Sequence, residues 1–184
     1  DHQGIIADPT CSTVQMAAAR QPIFDAVGSC RINVATYQAV SGAGRRAIEE
    51  LAGQTAALLN GKNPTIEVMP KQIAFNVIPE IDLFQGNGYT REEMKMVWET
   101  QKIFEDETIM INPTTVRVPV FYGHSEAVHL ETRDAVTADE VRQLLSVAPG
   151  VTVIDDHTPG GYPTAVTEAA KQDGVFVGRI REDI

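Results

Sequence analysis

The chain has 184 residues, 43% of them hydrophobic and 22% charged, with a formal net charge of −10. That length suits one domain with a core of its own. The acidity argues against a nucleic-acid or anionic-membrane surface, and no apolar run approaches the ~20 residues of a membrane helix.

In chain order, the first informative run is 4–15. An apolar, strand-like stretch (Ile5, Ile6, Ala7) meets the turn pair Asp8-Pro9, and Cys11 follows, flanked by Thr10 and Ser12. Hydroxyl residues suit a helix start, and the spacing predicts a helix from Ser12 to about Val27. The sulfur then lies at a helix N-terminus, where unpaired N–H groups and the positive dipole end favour thiolate. A thiolate is a nucleophile, and free N–H groups beside it can hold an oxyanion. The plainer reading is a small buried hydrophobe. Only one other cysteine, Cys30, is present, so no disulfide framework is expected and a cytoplasmic setting fits; nothing reads as a signal peptide.

Residues 31–37 alternate and are β-branched, predicting a strand. Ser41-Gly42-Ala43-Gly44 is a flexible loop, too short for a dinucleotide fingerprint. A helix is predicted over 45–59, a Pro/Gly/Asn-rich linker over 60–70 and a short strand over 73–78. Thr90…Glu93 is a capping-box pattern opening a helix to about 104, and Thr137…Glu140 is a second, opening a helix to about 147. Strands are predicted over 114–122, 127–132, 151–154 and 175–178. Without strict βαβ alternation, the expected fold is α+β, with a mixed, largely antiparallel sheet and helices on one face.

Three further positions carry suitable chemistry. His124 follows a predicted strand behind Gly123, and imidazole titrates near neutrality. Arg117 offers a planar, permanently charged fork. Glu99 and Lys102 are spaced i, i+3, which by itself describes an ordinary helical ion pair. His2, His129 and His157 match no metal spacing, and no metal is expected.

In combination, several runs resemble one family over almost the whole length. They are Pro9-Thr10-Cys11-Ser12-Thr13, 35–42 (ATYQAVSG), 71–79 (KQIAFNVIP), 98–102 (WETQK), 116–120 (VRVPV), Gly123-His124-Ser125 and 176–180 (FVGRI). The chain resembles the catalytic (C-terminal) domain of bacterial aspartate-semialdehyde dehydrogenase. The resemblance implies a glyceraldehyde-3-phosphate-dehydrogenase-like C-terminal domain and a homodimer. It implies NADP-dependent reductive dephosphorylation of β-aspartyl phosphate to aspartate semialdehyde through a cysteine acyl-thioester, a step towards lysine, methionine and threonine. On it, 1–184 is the catalytic and dimerisation domain, with the dinucleotide-binding domain and a final C-terminal segment outside this chain, so the piece alone is expected to be inactive.

Residue by residue, the resemblance makes Cys11 the nucleophile and His124 the acid/base. Arg117 grips the substrate α-carboxylate, Glu99 the amine and Lys102 the phosphate, and Gln38 orients the acyl group. Ser41 and Gly42 touch the nicotinamide half of NADP. The family usually reads Asn-Pro-Asn-Cys where this chain has Asp8-Pro9-Thr10-Cys11. Thr10 brings one hydroxyl donor in place of an amide, and Asp8 is expected to raise the pKa of the thiol. Two alternatives stand beside this reading. One is a related acyl-phosphate reductase, such as N-acetyl-glutamyl-phosphate reductase or a glyceraldehyde-3-phosphate dehydrogenase. The other is a catalytically silent dimerisation module.

Overall fold

In strand β1 (Arg31–Gln38) every second residue is buried: Ile32, Val34, Thr36 and Gln38. That period-2 pattern marks a strand with one face on the core. The structure is a computed structural model describing residues 3–184; His2 lies outside them. Strand β2 (Met110–Arg117) lies parallel to β1 on one edge, with Gln38 beside Arg117. Strand β3 (Ser125–Glu131) lies antiparallel on the other, with Thr36 beside Glu126.

Helix α1 (Cys11–Val27) and helix α3 (Arg91–Ile103) supply the cover, and Met16 and Met96 pack with Ile32, Val34, Phe104 and Ile109. The capping box at Thr90 forms as expected: Thr90 N donates to Glu93 and Glu93 N donates to Thr90 Oγ1. The other Glu93 oxygen accepts from Thr115 N at 2.9 Å, which satisfies the outer edge of β2.

Arg20 of α1 is buried, 2% exposed, with its guanidinium 4.1 Å above the Phe104 ring and 5.0 Å from that of Phe24. None of its three side-chain nitrogens has a hydrogen-bond partner among the described residues. Burial pulls its pKa down to about 10.

Helix α2 (Arg45–Leu59) closes a second core with Val40, Leu51, Met69, Ile73, Ala74 and Ile78. The strand expected over 73–78 is not one. Phe75 takes a left-handed φ of 58°, and Gln54 Oε1 accepts from the N–H groups of Ile73 and Ala74. A side chain thus does the pairing a neighbouring strand would do. Only Ile78 reaches the sheet edge, exchanging two backbone bonds with Arg117.

The strand expected over 114–122 starts earlier, at Met110, and ends at Arg117; Pro119 follows and offers no N–H for a ladder. The mixed α+β character holds, but "largely antiparallel" does not. Among the described residues two of the three strand pairings are parallel: β1 with β2, and β4 (Val151–Val153) with β5 (Val175–Val177). The long crossover through α2 and α3 is what lets β1 and β2 run the same way. Helix α4 (Ala138–Ser146), with its expected capping box, is tied to Asp155 and the Ile180 carbonyl by Arg142. A π-helical turn at Ala165–Ala169 had no sequence signal.

Candidate active site

Cys11 is the first residue of α1, exposed, while Ser12 and Thr13 behind it are buried. Thr10 holds extended backbone at the helix start, yet its side chain makes no capping bond. It turns instead to α3. Thr10 N and Thr10 Oγ1 both donate to Glu99 Oε2, at 2.9 and 2.8 Å. On the other flank, Ser12 Oγ donates to Glu92 Oε1 at 3.5 Å. Two carboxylates seven residues apart on one helix face therefore hold the residues on either side of the thiol.

The pKa of the thiol is raised. Burial of its inner side is the main cause and Glu92 the next; the Ser12 and Cys11 N–H groups and Arg117 pull the other way. The helix-start effect is thus present and outweighed, which corrects the expectation that the setting favours thiolate. The anion responsible is Glu92 rather than Asp8, which is exposed.

Arg117, 6% exposed, closes β2 beside Gln38. Its Nη1 donates to the Ala39 carbonyl at 2.7 Å, and Ala39 N donates to His124 Nδ1 at 3.0 Å. One residue's backbone links the two side chains. Burial holds the His124 pKa below its ordinary value; the Gly123 carbonyl and Glu92 push up, Arg117 down. Burial also lowers the pKa of Arg117, against the attraction of Cys11 and Glu92. Gly42 borders both groups: a Cβ there would lie 3.0 Å from Arg117 Nη1 and 3.5 Å from His124 Nε2. Gly123 has φ +85°, and a Cβ on it would collide with the Ala165 carbonyl.

The other expected positions fall as follows. Gln38 is buried, and its amide Nε2 donates to Thr36 Oγ1 at 3.2 Å. Ser41 and Gly42 sit in a short 3-10 turn, Val40–Ala43, hung from the chain beyond β2 by Val40 N to Val120 O and Ser41 N to Phe121 O. The simple Glu99–Lys102 ion pair does not form: Glu99 serves Thr10, and Lys102 is exposed in the last turn of α3.

Two groups escaped the sequence reading. Glu92 was hidden inside the capping-box pattern, although Glu92-x-x-Lys95 repeats seven residues later as Glu99-x-x-Lys102. Glu126, across from Thr36, has its pKa raised to about 8 by burial, with Gln15 pulling slightly down; its Oε1 has no partner among the described residues. Among the described residues no group of three or more His, Cys, Asp or Glu could hold a metal ion, and no helix is long and apolar enough to cross a membrane.

Residues 21–184 match the family described as semialdehyde dehydrogenase, dimerisation domain. The aspartate-semialdehyde dehydrogenase of Legionella pneumophila is 63% identical over 182 residues, 99% of this chain and 52% of that protein. Among solved structures, aspartate semialdehyde dehydrogenase II of Vibrio cholerae, complexed with ASA, matches with TM-score 0.95 and 58% identity over 98% of this chain and 53% of that one. A Candida albicans aspartate semialdehyde dehydrogenase solved with NADP shares the fold at TM-score 0.65 and 24% identity, over 98% of this chain and 49% of that one. The chain spans about half the length of the curated relatives it matches.

Proposed function

The chain belongs to the semialdehyde dehydrogenase dimerisation-domain family, and from that premise we propose that it is the catalytic and dimerisation half of an aspartate-semialdehyde dehydrogenase. The reaction would be NADP-dependent reductive dephosphorylation of β-aspartyl phosphate to aspartate semialdehyde, in the cytoplasmic synthesis of lysine, methionine and threonine. One observation supports the reading most: Arg117, joined to His124 through Ala39, acts electrostatically on the Cys11 thiol at the start of α1.

In this mechanism Arg117 binds the α-carboxylate, as a buried planar cation does well. Glu99, whose Oε2 is committed to Thr10, offers its other oxygen to the amine; Lys102 meets the phosphate, and Gln38 orients the acyl group. The Cys11 sulfur attacks the acyl carbon. A carbon–sulfur bond forms, the carbon–oxygen bond to phosphate breaks, and phosphate leaves with that electron pair. The thiol proton goes to His124 Nδ1, the ring nitrogen that carries no hydrogen while burial keeps the ring neutral, and the Ala39 N–H gives up its bond there as the proton arrives. Reduced NADP, when bound, supplies the hydride that reduces the thioester. Ser41 and Gly42 would hold its nicotinamide end. Backbone N–H groups at the start of α1 hold the resulting oxyanion. Its collapse breaks the carbon–sulfur bond, frees the aldehyde and leaves a Cys11 thiolate that His124 reprotonates.

Homodimer formation is part of the same proposal. The sheet face bearing Arg31, Asn33, Ala35 and Tyr37 is opposite the helix-covered one, and Tyr37 and Met110 are exposed.

The test is phosphate- and NADP-dependent oxidation of aspartate semialdehyde by the full-length protein. Activity that Cys11→Ala abolishes supports the reading. A folded dimer with no such activity leaves the silent dimerisation module.

A further inference from the structure

We propose that Glu92 is a positioning residue of this site, holding the first turn of α1 against α3 and keeping a fixed negative charge beside Cys11. This rests on reading Cys11 as the nucleophile, but its test does not require turnover. Glu92 is 7% exposed, deep for a carboxylate. Its Oε1 takes the Ser12 hydroxyl and its Oε2 faces Lys95 Nζ at 3.5 Å. Lys95 is shared with Asp82 at 3.3 Å, so the cation does not belong to Glu92 alone. Glu99, two helical turns on, holds Thr10. The thiol therefore sits between two residues whose polar groups are tethered to one rigid helix.

Glu92 also reaches further than its bonds. It acts electrostatically on Cys11, Arg117 and His124 alike. The charged groups acting on the thiol are Glu92 from α3 and Arg117 from the end of β2. Those around Glu92 are Lys95 on its own helix, Arg117, and His124 from the loop before β3, with Asp82 behind Lys95. In this balance Glu92 opposes Arg117, so the resting site holds a protonated thiol and forms thiolate when His124 takes the proton. An acidic residue in the first turn of α3 also suits the helix dipole, and a purely structural Glu92 would do only that.

The two roles separate by the pH profile of Cys11 alkylation, read by mass spectrometry on the full-length protein with Cys30 as internal control. Glu92→Gln keeps the shape and removes the charge; the Cys11 midpoint is expected to fall by about one pH unit, raising the rate at neutral pH several-fold, while Cys30 stays unchanged. Lys95→Met removes the partner cation and is expected to move the midpoint up. An unchanged or raised midpoint in Glu92→Gln overturns the proposal. So does an unchanged or lowered one in Lys95→Met, which keeps the idea testable if the first variant fails to fold. A full-length protein without dehydrogenase activity whose Cys11 profile still moves as stated would sink the functional reading and leave only the coupling of Glu92 to Cys11 standing.

Discussion

Gly123 is packed against the Ala165 carbonyl so closely that a single methyl group would displace one of them. Gly123 also holds φ +85°, a region that costs other residues strain. His124 follows directly, so the glycine decides where the imidazole stands. Gly123→Ala is expected to cost about 1–3 kcal/mol of stability and at least tenfold in kcat/KM. Thermal unfolding with steady-state kinetics checks this; native kcat/KM would show that the turn absorbs the methyl group.

Gly42 works by a different route, since its backbone is unstrained. A Cβ there would press on the Arg117 fork at 3.0 Å. Gly42→Ala is expected to raise KM for aspartate semialdehyde on the order of tenfold, with a smaller change in stability. A rise in the NADP KM alone would mean that the Arg117 fork absorbs the methyl group and only the cofactor contact is disturbed.

Arg20 keeps a guanidinium stacked on Phe104 and Phe24 with no acceptor for its N–H groups among the described residues. Stacking offsets part of the desolvation, but a buried cation without hydrogen bonds is costly. Arg20→Met is expected to stabilise the fold by about 1–2 kcal/mol in denaturant unfolding. Destabilisation would mean that the ring contacts outweigh the lost hydration.

Glu126 ties stability to pH. Its folded pKa, about 8, lies above the 4.5 of a free glutamate, so the folded state binds the extra proton. That contribution is complete below pH 4.5 and is lost as pH rises through 8. The native protein is therefore expected to lose stability between about pH 5 and 8, and Glu126→Gln to flatten that slope and be the more stable at pH 8, on the order of a few kcal/mol. Parallel slopes for both would assign the pH dependence elsewhere.

Cys11 itself is expected to alkylate with a midpoint above the ordinary thiol value of about 8.5, because burial and Glu92 outweigh the helix start. A midpoint below it would restore the simpler view of a dipole-activated thiolate.

Features settled within a few residues were legible in the sequence. Thr90 with Glu93 and Thr137 with Glu140 form the reciprocal bonds their spacing announces. The alternation over 31–37 is a strand because one face is buried. Features that depend on distant partners were not. The apolar run 73–78 has the composition of a strand, but Gln54 takes its N–H groups. Glu99 looked like a partner for Lys102 because the helix is local, whereas Thr10, 89 residues away, claims it. Cys11, Arg117 and His124 could be singled out in the sequence as candidates by their chemistry and Gln38 by the family resemblance, but the direction of the thiol's pKa shift could not. It depends on Glu92 and on crowding, and neither is written near position 11.

The bridge through Ala39 has a consequence for how this site tolerates mutation. The atoms that join Arg117 to His124 are an amide hydrogen and a carbonyl oxygen, which belong to the main chain. Substitution at position 39 can crowd the core, but only proline deletes the amide, and none deletes the carbonyl. With Arg117 and His124 in place, side-chain substitution at position 39 therefore leaves the link between them standing, and a scan that trims the side chain there would pass over it.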